Sequence, residues 1–204
     1  MLSQFLKSSF GRVGNALFEM LSTCGVTPNQ VTCIGFGLVL LNCGLYLVHR
    51  DTYFFGAGLA LSYTFDALDG AVARRQGTVS KFGGYLDAVI DRYQEIAAYF
   101  VLAIVNGWWL VIFILTTGCM LISYNKAAAA IEIRIDDKGW PDLMERARRT
   151  SIFCAALVMD NTIPVPDALG GRLIYIALWY LAVLSHFTAI QRFVRARRLL
   201  LAED

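Results

Sequence analysis

Residues 29–48 form a run of twenty without a single charged side chain. A run of about 20 apolar residues is long enough for a helix to cross the ~30 Å hydrocarbon core of a bilayer. A helix is suited to that environment because it satisfies its own backbone hydrogen bonds where no water is at hand. Further apolar stretches cover about residues 53–75, 82–105, 108–130, 143–162 and 173–191. The fifth has the shortest uninterrupted apolar run. Composition agrees: 57% of the chain is hydrophobic and 17% charged, where a soluble domain carries about a quarter charged residues. The sequence therefore predicts an all-α membrane protein with six transmembrane helices.

The first segment has a different pattern. Leu2, Phe5, Leu6, Phe10, Val13, Leu17, Phe18 and Leu21 recur at helical spacing, with Lys7, Arg12 and Glu19 between them. This suits an amphipathic juxtamembrane helix over residues 2–22 lying along the membrane surface; a plain packing helix has the same signature. The first twenty residues lack the continuous apolar core of a removable signal peptide. Gly25, Pro28 and Asn29 break the pattern before the first long run, and Asn106-Gly107 marks a turn between the third and fourth. Without repeat or linker, residues 1–204 read as one domain, with the six-helix bundle at 29–198. The five cysteines show no metal-ligand spacing and read as small apolar residues.

Lys and Arg set the orientation. With both termini cytoplasmic, fifteen Lys and Arg side chains lie inside and only Arg50 and Arg172 outside, with Arg92 counted as intramembrane. That bias places both ends of the chain in the cytoplasm.

Against this apolar background stand Asp66, Asp69, Asp87 and Asp91. Ionised carboxylates in or near hydrocarbon are costly and persist only when something neutralises them. The first two are three residues apart and the second two four apart, so each pair shares a helix face. Asp66 lies nine residues before Arg75 and Asp91 nine after Phe82, each roughly 13 Å along a helix axis. Two antiparallel helices joined by a short loop would bring all four together in the cytoplasmic half of the membrane. Divalent cations suit such a quartet, and so does a proton or cation path. Gly70 and Ala73 share the face of the first pair, and Gly83 and Gly84 precede the second. These small residues favour close helix packing or space for a bulky phosphorylated ligand.

The full pattern, Asp66-x2-Asp69-Gly70-x2-Ala73-Arg74-x8-Gly83-x3-Asp87-x3-Asp91, resembles the signature of the CDP-alcohol phosphotransferase family at every fixed position. The resemblance extends over nearly the whole chain. It implies an enzyme that displaces CMP from a CDP-linked lipid with an alcohol, using two Mg2+ ions, with Mn2+ as a substitute. It implies metal ligation by Asp66, Asp69, Asp87 and Asp91, and Asp91 as general base toward the acceptor hydroxyl. Gly70, Arg74 and Ser80 are implied to contact the CDP-lipid, with Asn29, Gln30, Val31 and Thr32 lining the cytidine pocket. A helix start after Pro28 accounts for the same four residues. A homodimer is implied as well; membrane lipids surround it, and no nucleic acid is an expected partner.

Weaker features touch the acceptor. Asp91-Arg92-Tyr93, Ser123-Tyr124-Asn125-Lys126, Glu145-Arg146-Ala147-Arg148-Arg149 and Gln191-Arg192 resemble elements of the branch that uses inositol 1-phosphate. In that branch such cations hold the acceptor phosphate, which implicates Lys126, Arg146, Arg149 and Arg192. Two features depart from it. Lys126 is followed by four alanines instead of an Arg and a Glu, and Asp136, Asp137 and Asp142 make the following segment acidic. Glycerol 3-phosphate thus stays open as the acceptor, as in phosphatidylglycerophosphate synthases. A cation or proton transporter with an intramembrane acidic cluster is the reading of another class.

Overall fold

A computed structural model of the chain describes residues 27–132, 143–167 and 170–203, with the backbone alone over 65–76. The expected juxtamembrane helix at 2–22 lies outside the described residues. Among the described residues the structure is entirely helical. The elements are α1 (Pro28–His49), α2 (Thr52–Gln76), α3 (Lys81–Asn106), α4 (Trp109–Glu132), α5 (Arg146–Met159) and α6 (Leu173–Glu203). Three of these, α1, α4 and α6, are long and apolar enough by length and composition to cross a membrane.

Helix boundaries follow local chemistry. Arg50 takes a left-handed backbone (φ 53°), and its N–H donates to Tyr46 O at the end of α1. The Asp51 carboxylate then accepts from Tyr53 N and Phe54 N at 2.8 and 3.4 Å, capping the start of α2 as an N-cap acid does. Gly107 (φ 73°) closes α3 through a bond to Ala103 O, as the Asn106-Gly107 pair predicts. Two elements differ from expectation. Helix α5 has 14 residues, about 21 Å, shorter than the span expected over 143–162: its first turn is occupied by three arginines and Asp160 takes up side-chain bonds where it ends. Helix α6 runs on to Glu203, twelve residues past the last expected span. No Gly or Pro interrupts the basic stretch after Gln191, and Arg and Leu are good helix formers.

The chain divides into two compact units, residues 1–41 with 61–94 and residues 42–60 with 95–204. In the first, Val31, Val39 and Ile90 are buried, and Phe36 and Tyr93 meet at 6.3 Å. In the second, Tyr46 stacks on Phe55 at 4.4 Å and Tyr99 meets Phe153 edge-on at 5.0 Å. Helix α6 packs on both α4 and α5. A Cβ on Gly118 would lie 3.0 Å from Ser185 Cβ, and one on Gly56 2.6 Å from Leu157 Cβ. Both glycines allow helix backbones to approach closely.

One end of the second unit is knotted by Asp160. Its Oδ2 accepts from Arg172 Nε and Nη2 at 3.0 and 2.5 Å and from Thr52 Oγ1 at 3.2 Å. Its Oδ1 accepts from Ile174 N at 2.9 Å. Arg172 Nη1 donates onward to Asn106 Oδ1 at 2.7 Å, Asn106 Nδ2 reaches Tyr46 Oη, and the guanidinium lies over Trp108 at 5.4 Å. Ends of all six described helices converge there. Asp160→Ala removes the shared acceptor and is expected to lower unfolding stability by about 3 kcal/mol. Asp51→Ala, which removes a half-buried cap, is expected to cost about 1 kcal/mol. Thermal unfolding of the two variants in detergent checks the contrast.

Candidate functional site

Helix α1 opens with a reciprocal capping box. Gln30 N donates to Thr27 Oγ1 at 3.4 Å while Thr27 N donates to Gln30 Oε1 at 2.9 Å. Pro28 takes the first helical position, where its missing N–H costs nothing. Of the four residues expected at a cytidine pocket, Val31 and Thr32 are buried, Asn29 is half-buried and Gln30 exposed. Thr32 Oγ1 donates to Pro28 O at 3.1 Å, so the helix start accounts for Gln30 and for this hydroxyl bond.

Ser80 caps α3, with Gly83 N donating to its Oγ at 3.0 Å. A Cβ on Gly83 would lie 3.1 Å from Ser80 Oγ and 3.2 Å from Asn29 Oδ1. Glycine at this motif position lets two of the expected CDP-lipid contacts, from α1 and the start of α3, gather around one backbone. Gly84 faces open space.

Of the acidic quartet, Asp87 and Asp91 lie among the residues with described side chains. They share a face of α3; Asp87 is half-buried and Asp91 is 8% exposed. A carboxylate this buried stays ionised only beside positive charge or donors. Hard oxygen donors at i,i+4 spacing fit a divalent cation such as Mg2+ or Mn2+. Asp66, Asp69, Gly70 and Arg74 fall on α2, with side chains outside the described set. Among the described residues no group of three or more His, Cys, Asp or Glu gathers in a way that could hold a metal; the quartet has only two members there.

The expected acceptor cations all lie in the second unit. Arg192 Nη1 donates to Ile122 O, one turn before Lys126 on α4. The Lys126 turn and Arg192 therefore meet along the α4–α6 seam, both half-buried. Arg146 begins α5 and is half-buried. Arg149, one turn on, is 1% exposed. Its Nε and Nη2 both donate to Glu95 Oε1, at 3.2 and 2.7 Å, and its Nη1 donates to Met144 O at 2.9 Å. Arg148 donates to Leu143 O. Sequence reasoning singled out Arg149 and missed Glu95, although a fifth acid in the third apolar stretch, one turn past Asp91, was a visible signal. Asp160 was missed too; its partners are distant in sequence.

A helical chain with apolar spans, two motif aspartates on one helix face and a basic helix start is the architecture of a membrane-embedded phosphotransferase. The chain belongs to the CDP-alcohol phosphatidyltransferase family, whose model matches residues 25–190. It is a membrane protein. It is 33% identical over 196 residues to the archaetidylinositol phosphate synthase of Pyrococcus horikoshii, covering 95% of this chain and 93% of the relative. It is also 33% identical over 192 residues to the phosphatidylinositol phosphate synthase of Corynebacterium glutamicum, covering 88% and 81%. Among solved structures, it matches Mycobacterium tuberculosis phosphatidylinositol phosphate synthase with CDP-DAG bound at a TM-score of 0.76 and 26% identity, covering 91% of this chain and 94% of that one. The same enzyme in complex with manganese and citrate matches at 0.75, covering 90% and 88%.

The two glycines of α3 provide a test. Gly83→Val drives new atoms against Ser80 and Asn29 and is expected to destabilise by about 1–3 kcal/mol. Gly84→Ala meets nothing and is expected to be neutral or to stabilise by about 0.5–1 kcal/mol. Unfolding midpoints of the two purified variants should move in opposite directions or differ by that margin.

Proposed function

We propose that this chain transfers the phosphatidyl-type group of a CDP-lipid, CDP-diacylglycerol or its archaeol counterpart, to the hydroxyl of inositol 1-phosphate, releasing CMP. The observation that carries the reading is the motif pair Asp87 and Asp91, brought to one face of α3 with Asp91 buried. The relatives named archaetidylinositol phosphate synthase and phosphatidylinositol phosphate synthase, matched over 93% and 81% of their length, support inositol 1-phosphate as the acceptor.

Asp66, Asp69, Asp87 and Asp91 are the carboxylates that would hold two divalent cations, Mg2+ or in its place Mn2+. Such cations supply charge neutralisation on a pyrophosphate and on the CMP leaving group. The protein's own part is positioning and proton transfer. Asn29, Gln30, Val31, Thr32, Gly70, Arg74 and Ser80 form the CDP-lipid side, and the approach of Asn29 and Ser80 around Gly83 supports this grouping. Asp91 accepts the proton of the acceptor hydroxyl as its oxygen bonds to the β-phosphorus. The bond from that phosphorus to the bridging oxygen breaks, and CMP leaves with the electron pair.

Lys126, Arg146, Arg149 and Arg192 form the acceptor-phosphate end, Arg149 from within its ion pair with Glu95. The start of α5 favours an anion. Its N-cap, Glu145, makes no side-chain cap bond, and no acid occupies the first turn. Arg146, Arg148 and Arg149 instead add positive charge to the positive end of the helix dipole. Six spans, both termini and the active site on the cytoplasmic side, a single domain uniting both compact units, and a homodimer complete the reading. The family match supports the single domain, since it runs through both units.

The test is CMP release from CDP-diacylglycerol by purified protein with Mg2+ and a panel of inositol 1-phosphate, glycerol 3-phosphate, serine and free inositol. Inositol 1-phosphate is expected to give the highest kcat/KM; preference for glycerol 3-phosphate would overturn the acceptor assignment, and no CMP with any alcohol would overturn the transferase. Asp91→Asn is expected to lower kcat by about 10²-fold or more while CDP-diacylglycerol binding falls only modestly. EDTA is expected to stop turnover, and added Mg2+ or Mn2+ to restore it.

A further inference from the structure

The ion pair between Glu95 and Arg149 is buried at both partners, with side chains 1% and 2% exposed. Glu95 stands outside the aspartate motif, and the chemistry proposed above gives it no role beyond pairing with Arg149. Its partner is the third of three arginines in the first turn of α5, the turn from which Arg146 also projects.

The geometry is that of a clamp. Two guanidinium nitrogens of Arg149 close on one oxygen of Glu95 in α3, and the third donates to the carbonyl of Met144, two residues before the helix begins. One side chain thus ties the entry of α5 to α3 in depth and in rotation about the helix axis. Arg146 lies three residues earlier, about 60° around the same helix, so its direction is set once Arg149 is held. Arg146 is half-buried on the same turn.

Stability alone does not account for charge at this position. Replacing a buried ion pair with packed apolar residues of similar volume is often neutral or stabilising, because the desolvation of both ions offsets their attraction. An uncapped helix start with three arginines and no acid in its first turn also runs against two local rules of helix formation. Conflicts of that kind concentrate at functional sites.

We propose that Glu95 is a positioning residue for acceptor binding: by clamping Arg149 it fixes the first turn of α5 and presents Arg146 to the acceptor phosphate. The proposal rests on the reading of that turn as the acceptor-phosphate end, and within that reading it narrows Arg149 from a phosphate ligand to the clamp that holds Arg146. It assigns a sign. With Glu95 neutralised, Arg149 is released and the turn loses its fixed direction, so acceptor binding weakens. Were Arg149 itself the phosphate ligand, releasing it from its carboxylate would strengthen acceptor binding.

The experiment uses the full chain in detergent micelles with Mg2+, varying inositol 1-phosphate at saturating CDP-diacylglycerol and then the reverse. Glu95→Gln is expected to raise the acceptor KM about tenfold and to leave the KM for CDP-diacylglycerol within about twofold. An acceptor KM that stays level or falls overturns the proposal, and so does a parallel rise in both KM values that follows lost thermal stability. Should Glu95→Gln not fold, Arg149→Lys keeps the charge but cannot make the same three bonds. It is expected to show the same selective rise, and a level acceptor KM in that variant overturns the proposal equally. If wild-type protein prefers glycerol 3-phosphate, the acceptor assignment falls, and the same KM comparison made with that phosphate still decides the role of Glu95.

Discussion

A charge removed from water in this apolar chain has to be answered by a partner fixed at a definite place, and that requirement organises the second unit. The effective cost of burying an ion is several kcal/mol even after relaxation, so Glu95 and Arg149, and Asp160 and Arg172, cannot drift independently. The Asp160 knot gathers Tyr46, Thr52, Asn106, Arg172 and Ile174 at one level. From that level, Glu95 lies eleven residues back along α3 from Asn106, and Arg149 eleven residues back along α5 from Asp160. Both distances are about 16 Å of helix. Two helices pinned at the knot therefore arrive in register at the second ion pair, and each pair makes the other's geometry possible.

The seam between α4 and α6 solves a different problem. Where helices are surrounded by lipid tails, apolar contact between them gains little over contact with lipid, and close backbone approach and polar side chains supply the association. Gly118 admits Ser185 and His186, Cys119 Sγ lies 3.7 Å from Ser185 Oγ, and His186 Nε2 lies 2.9 Å from Ile114 O. Further along, Asn125 Nδ2 donates to Ala189 O at 3.0 Å and Arg192 to Ile122 O. The last of these contacts involves a residue proposed to meet the acceptor. The seam that holds α6 in place thus also sets the position of Arg192.

Legibility in the sequence divides along the same physical line. Features encoded within one or two helical turns were readable: the uncharged run that became α1, the Asn106-Gly107 turn, the helix start after Pro28 and the shared face of Asp87 and Asp91. The basic extension of α6 was missed because charge marks where a membrane span ends, while helix geometry ends only where caps or breakers stop it. Helix α5 was drawn too long because its apolar residues outline a buried stretch, whereas its ends are set by Arg149 and Asp160. Those two residues were visible as charges in apolar surroundings, but Glu95 stands 54 positions from Arg149 and Thr52 stands 108 from Asp160. Periodicity carries no information at such separations. The family motif reached further than periodicity because its eight fixed positions encode a ligand's requirements together with a fold's.

The start of α5 shows why those two kinds of information differ. Helix physics alone would place an acid or a hydroxyl there, since both satisfy exposed N–H groups and complement the dipole. The sequence has an acid at the N-cap, Glu145, but it makes no cap bond and Arg146, Arg148 and Arg149 follow; the fold answers locally with carbonyls of Leu143 and Met144 and with a carboxylate from α3. That answer covers Arg149 fully. A phosphorylated acceptor would be one further anion at the positive end of the helix dipole. On this view the protein sets the geometry of the turn, and the substrate adds to its electrostatics.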